Sequence, residues 1–443
     1  MKINYKVGMS AIILAILAGL SGGITALYYQ LNEFLPLLFQ IHDQTAAINI
    51  FQTHARMMVF FVLQPALMVA FGSWFFPVLI GSRNFAFPLI NILSIILLWT
   101  GFFFNFFSFF NSETGLMSLI SLVFWSIGSV LFSINVLITF INNRGQDIKF
   151  YSIPLFAWMH VISASFLLGV GSILLGILTR DYFNYNMQLD WAISQTVKNF
   201  VFPMVVVLIL PSFGILFHIF QTISEKKIKS DKILLIGITT AFSLLLFLFW
   251  NKSIFTEIYF QTDSFANIET IFAVGLYGLI CVLSIFALKL FKTGLKNIST
   301  PMLWSLGCLF LLLFAWPYKG LIQGINQIHS TLTYAIILSI FAGFYFWMGK
   351  IFGKQYSESL GILHFVITMI GIVLTLKIIP LGRNTVFWGD IFMGLSIFVF
   401  QGVIINAIFY NVVKPVANYW GKGAITNEWK LPSPMFTANK QNR

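Results

Sequence analysis

The stretch INQIHSTLTYAIILSIFAGFYFW, residues 325–347, starts polar and then runs apolar, with a single histidine, His329, at its mouth. A helix rises 1.5 Å per residue, so about 20 apolar residues cross the roughly 30 Å hydrocarbon core of a bilayer. Runs of the same kind recur in both directions along the chain. They fall at roughly 8–28, 53–80, 86–110, 115–143, 153–178, 197–222, 233–251, 266–288, 302–318, 328–349, 360–380 and 388–411. With 58% hydrophobic and 9% charged residues over 443 positions, and a mean hydropathy of +0.88, no soluble class fits. The pattern predicts an all-α polytopic membrane protein with twelve transmembrane helices in a single transmembrane domain, 1–443.

The charge follows that topology. An even span count puts both termini on one side. The N-terminus, the even-numbered loops and a tail from 412 to 443 together hold 19 Lys/Arg and 5 Asp/Glu, against 7 and 9 on the opposite side. The positive-inside rule assigns the basic side, with both termini, to the cytoplasm or its organellar equivalent. The net charge of +12 is therefore a membrane-topology signal with scope for anionic-lipid contact, not a nucleic-acid footprint. The first run lacks a cleavage signature and reads as a true span. Cys281 and Cys308 both fall in apolar runs and form no CxxC, so neither a zinc site nor a disulfide framework is expected. None of the fourteen Asp/Glu lies deep in a span, which argues against a proton pump or a charged conduction path.

Six histidines remain. His54 and His329 each sit in the first turn of a span that enters from the outer side, so they share a depth. Two imidazoles at one level on different helices can hold a haem iron from both faces; two unrelated interfacial histidines would give the same spacing. His218 and His364 read as hydrogen-bonded structural residues, His160 as a packing residue and His42 as a surface residue.

Four stretches then carry a family likeness: QTHARMMVFF (52–61), FPVLIGSRNFAFPLINILS (76–94), PMVVVLILPSFGILFHI (203–219), and HSTLTYAIILSIFAGFYFW (329–347) followed by LHFVITMIGIVLTL (363–376). In order and spacing the chain resembles subunit I of the haem–copper oxidase superfamily, closest to the cytochrome c oxidase branch. The resemblance implies that His54 and His329 are the axial ligands of a low-spin haem and that Arg383 lies near its propionates, a role suited to a planar, permanently charged donor. It implies an integral protein of the bacterial or mitochondrial inner membrane. It further implies partner membrane subunits and a cytochrome c or quinol electron donor.

The oxygen-reducing site does not carry over. Gln327 stands where the family's high-spin haem ligand would be. The sixth-helix ligand, acid and tyrosine positions are Phe202, Met204 and Val206, and the seventh-helix histidine pair aligns with Lys252 and Ser253. Copper needs imidazole or sulfur donors in fixed geometry, and none of the three aligned positions keeps its imidazole. Asn84 replaces the aspartate at the inner proton entry, residues 253–288 contain no lysine, Lys319 and Gly320 replace an outer His-Asp pair, and Gln30 leaves the haem type, A or B, open. The expectation is one low-spin haem, no copper, and single-electron transfer without oxygen reduction. A haem-free structural or assembly subunit is the alternative, and an active oxidase with unorthodox ligands ranks below both.

Overall fold

In the computed structural model, the structure describes residues 1–34, 50, 52–109, 114–183, 189–225, 232–258, 265–290, 298–315, 328–379, 382, 384–409, 416 and 418–435. At helical residues 114, 190–191, 194, 198–199, 202, 248–258, 265–273, 290, 315 and 328–330 only the backbone is described. The described residues are helical with short turns and contain no strand. In chain order the helices are α1 (Lys2–Phe34), α2 (Gln52–Leu79), α3 (Pro88–Ser108), α4 (Thr114–Asn142), α5 (Leu155–Phe183), α6 (Leu189–Ile223), α7 (Lys232–Ile258), α8 (Phe265–Leu290), α9 (Thr300–Phe310), α10 (Ile328–Phe352), α11 (Glu358–Thr375) and α12 (Thr385–Phe409). Nine of them are long and apolar enough to cross a membrane among the described residues. The described apolar parts of α7 and α8, Lys232–Phe247 and Val274–Lys289, and the α9 segment Thr300–Phe314 are shorter. The protein is integral to a membrane.

Burial separates the axis of the bundle from its rim. The apolar window of α6 is wholly buried and that of α2 is 94% buried, against 17% for α12, so α2 and α6 form the interior and α12 faces lipid. Around them α3 packs on α4, α4 on α5, α5 on α6, α9 and α6 on α10, and α11 on α12. Aromatic rings fill the centre, with Phe75 stacked on Trp347 at 4.4 Å between centroids and Phe71 packed against both Trp74 and Trp347. In α2 the backbone widens into two π-helical stretches, Met57–Leu63 and Pro65–Phe71, the second starting at a proline that has no N–H to donate. Side chains use the backbone groups along this stretch. Trp125 Nε1 donates to the Phe60 carbonyl at 2.7 Å, and a His160 ring nitrogen lies 3.0 Å from the Leu67 carbonyl.

Between α3 and α4 the backbones meet closely. A Cβ at Gly101 would sit 2.8 Å from the Ser121 carbonyl oxygen, and one at Gly128 would sit 2.9 Å from that of Ser94, so each helix supplies one glycine to the contact. The start of α9 is held by a carboxylate: Glu358 Oε1 accepts from both the backbone N–H and the hydroxyl of Thr300, which suits the positive end of a helix. Beside it, burial and the Glu358 charge push the Tyr356 phenol well above its usual pKa, so it stays neutral.

The N-terminus and the described tail, residues 418–435, lie at one end of the bundle. The N-terminal amine of Met1 donates to Asn84 Oδ1 in the turn after α2. Gly145, in the turn after α4, bonds the Ile80 carbonyl at 2.9 Å. The tail, residues 418–435, folds into two short 3-10 turns, Gly421–Gly423 and Asn427–Lys430, and packs across the same end. Trp420 stacks on Phe346 and Asn427 Nδ2 reaches the Val78 carbonyl at 3.4 Å. A Cβ at Gly423 would fall 1.7 Å from the Thr222 carbonyl oxygen, a position only glycine fills.

Candidate functional site

His54 stands in the first turn of α2, half-buried, with Nδ1 2.8 Å from the Gly22 carbonyl oxygen on α1. A carbonyl can only accept, so Nδ1 carries the proton and Nε2 keeps its lone pair. That is how a metal-binding histidine is held, with a backbone carbonyl fixing tautomer and ring plane. The approach depends on Gly22: a Cβ there would lie 3.1 Å from Met58 Cε and 3.2 Å from Met57 Cβ. Thr25 Oγ1 donates to the same carbonyl at 2.8 Å and so fixes its direction.

The helix carrying the second expected ligand is a neighbour, since α10 packs against the Met57–Leu63 segment of α2. The His329 side chain, Gln327 and Arg383 lie outside the described residues, as do Lys319 and Gly320, and so do the side chains of Phe202, Lys252 and Ser253. Gln30 is half-buried near the end of α1. At the centre of α6, Met204, Val205 and Val206 are fully buried among apolar neighbours. Iron fits the described half of the site, an oriented imidazole. At Val206 and Met204 the interior offers one thioether and no imidazole or carboxylate.

Arg56, two residues beyond His54, was not singled out in the sequence. It is 4% exposed, with Nε donating to Asn105 Oδ1 on α3 at 2.8 Å and Nη2 to Thr53 Oγ1 at 3.0 Å. A buried guanidinium inside a span is costly and so marks a purposeful position. The signal available in sequence was a cation in the second turn of an apolar run, which reads equally well as one that snorkels to water. Among the acids, Asp390 lies in the first turns of α12, half-buried, and accepts from Thr375 Oγ1 at 3.3 Å.

The remaining histidines are structural ties. His364 Nδ1 pairs with the Tyr345 hydroxyl at 2.9 Å. His160, expected only to pack, has each ring nitrogen 3.0 Å from a carbonyl oxygen, Phe156 on its own helix and Leu67 on α2. His218 pairs with a residue 210 positions away: its Nε2 lies 2.7 Å from Glu428 Oε1 in the tail, both side chains almost fully buried. Thr426 Oγ1 donates to the same carboxylate oxygen at 2.8 Å. Nearby Lys350, also buried, donates to the Leu431 carbonyl at 2.6 Å and lies 5.3 Å from the centre of the Trp429 ring. His42 lies outside the described residues.

At the end of the bundle nearest the termini, Asn84 is exposed and its amide oxygen is taken by the Met1 amine. Deeper in, Asn91 Nδ2 reaches Ser73 Oγ at 3.4 Å, and on α4 the hydroxyls of Ser121, Ser126, Ser129 and Ser133 are buried with no protein partner among the described residues. Internal water is the physical way to satisfy such a strip.

An oriented histidine on α2, packed beside α10, sits within a protein of the all-helical membrane-bundle class. The family model described as Cytochrome C and Quinol oxidase polypeptide I matches residues 6–388, and the chain belongs to that family, the haem–copper oxidase subunit I family. Its curated relatives include cytochrome c oxidase subunit 1 of Cereibacter sphaeroides, 27% identical over 452 residues that cover 86% of this chain and 78% of the relative. The same subunit of Yarrowia lipolytica is 26% identical, covering 90% and 84%, and that of Eremothecium gossypii is 25% identical, covering 85% and 76%. Members of the family bind haems and copper and serve respiratory electron transport as one subunit of a larger complex.

Proposed function

We propose that this chain is a haem-carrying electron-transfer subunit of a respiratory membrane complex that does not itself reduce oxygen. Two features carry the reading together: His54 is held with Nδ1 on the Gly22 carbonyl and Nε2 unused, while the sixth-helix positions are the buried apolar residues Met204 and Val206. His54 and His329 would hold one low-spin haem, of type A or B, with Arg383 at its propionates. When bound, such a haem supplies reversible one-electron transfer. The protein residues supply ring orientation, from Gly22, and exclusion of water, from the aromatic interior. Gln327, Phe202, Val206, Lys252 and Ser253 leave no imidazole set for a high-spin haem or copper.

The proposed architecture is twelve spans in one domain, 1–443, with the 412–443 tail and the N-terminus on the cytoplasmic or matrix side of the inner membrane. The partners are further membrane subunits of the complex and a cytochrome c or quinol donor. Purified protein should show a bis-histidine low-spin spectrum with about one haem per chain, and no carbon monoxide adduct. His54→Ala should abolish the spectrum. A carbon monoxide-reactive haem in the isolated chain sinks the non-catalytic part. Stable haem-free protein favours a structural or assembly subunit instead.

A further inference from the structure

A groove lies between α5 and α7 at the end of the bundle that carries the N-terminus and the docked tail. It encloses about 580 Å³ and is lined by Phe150, Tyr151, Trp158, Lys232, Leu235 and Ile236, with two threonines below. α7 packs on α8, and its ring contact with α5 comes deeper, where Phe166 and Phe242 meet at 6.3 Å. The groove runs along α7 from Lys232 to Thr240, about 12 Å at the rise of a helix.

Its chemistry grades from charged to apolar along that line. Lys232 is exposed at the mouth, and Arg144, also exposed, lies 5.8 Å from the centre of the Phe150 ring that forms one wall. Below them come Leu235, Ile236 and Thr239, whose hydroxyl is spent on the Leu235 carbonyl at 2.8 Å, so its methyl is the surface it offers. Trp158, 6% exposed, packs edge-on against Phe150 and Phe140 and closes the wall with apolar surface. Two cations at the mouth and an apolar shaft suit one kind of molecule: an amphiphile with an anionic head and a hydrocarbon tail. Mixed aromatic and basic lining at the basic end of a membrane protein recognises anionic lipid.

We infer that this groove is a binding site for one anionic phospholipid, its phosphate at Lys232 and one acyl chain along Leu235 and Ile236. The test uses the full chain in bilayer discs of equal phosphatidylglycerol and phosphatidylcholine, with retained lipid counted by native mass spectrometry after release into detergent. The wild type should keep phosphatidylglycerol in preference to phosphatidylcholine. Lys232→Gln should lower that retention about fivefold, the equivalent of one surface charge. Leu235→Trp, which fills the shaft, should lower it with the headgroup cations intact. Lys422→Gln, an exposed cation of the tail at the same end, should leave it unchanged. Equal retention of the two lipids overturns the site. So does loss with Lys422→Gln as large as with Lys232→Gln, which would mean diffuse surface charge. Should Leu235→Trp fail to fold, the Lys232 and Lys422 variants decide the matter between them.

Discussion

One carbonyl, that of Gly22, sets the direction of the His54 ring, and its neighbours leave little room for change. In Gly22→Ala the new methyl would press on Met57 Cβ, which is fixed to the α2 backbone, as well as on the mobile end of Met58. α1 must then back away from α2, and the hydrogen bond to His54 lengthens. The expected outcome is lower haem occupancy with the spectrum type unchanged, read by haem-to-protein ratio. Unaltered occupancy would mean that the ring is positioned by something else. Arg56 gives a second residue-scale prediction. Asn105→Leu removes an acceptor from a buried guanidinium and should cost about 1.5–3 kcal/mol, the usual worth of a hydrogen bond to a charged group. Arg56→Met removes the charge itself and should cost less, because a buried cation replaced by an apolar side chain of similar length no longer needs desolvating. Thermal melts of the two variants in one detergent would rank them.

At the scale of elements, the order of helices was legible in hydropathy because the bilayer demands long apolar runs, and each run coincides with a described helix. Neighbouring positions for α2 and α10, which a site shared by His54 and His329 would require, were legible only through the family resemblance. Two things were not. The docking of the tail joins Glu428 to His218, and a polar, turn-rich segment has no periodicity to announce where it will pack. The π-helical widening of α2 comes from backbone packing that residue types alone do not encode. Close helix contacts yield a further prediction. Gly101→Ala drives a methyl to within 2.8 Å of a backbone oxygen in α4, which cannot rotate away, so overpacking of about 1–3 kcal/mol is expected, seen as a lower melting temperature. An unchanged melt would show that α3 and α4 slide apart freely. For the tail, Glu428→Ala strips the partner from the buried His218 and should free residues 418–435. Trypsin added from the tail side should then cut after Lys422 and Lys430, whose backbones are docked in the wild type. Equal cleavage rates for the two proteins would refute the latch.

For the whole molecule, the two ends of the bundle carry different chemistry. The end with His54 holds the imidazole, the buried Arg56 and the half-buried Asp390. The other end is occupied by its own chain. The Met1 amine sits on Asn84, the tail spans α2, α6 and α10, and the Lys350 side chain is tied to Leu431. The α4 serines lie between the two with no protein partner among the described residues. Hydrogen exchange should therefore be slowest for the α2, α6 and α10 amides beneath the tail and should rise there, and not around His54, in the Glu428→Ala protein. An exchange pattern identical in the two proteins would mean the tail shields nothing.

The docked tail also sets a clock. Residues 418–435 emerge from the ribosome only after α1–α12 have been made, so the face they cover takes its final form later than the helices beneath it. Anything that must enter the bundle from that face has the duration of translation in which to arrive. Anything that arrives later must first displace the tail.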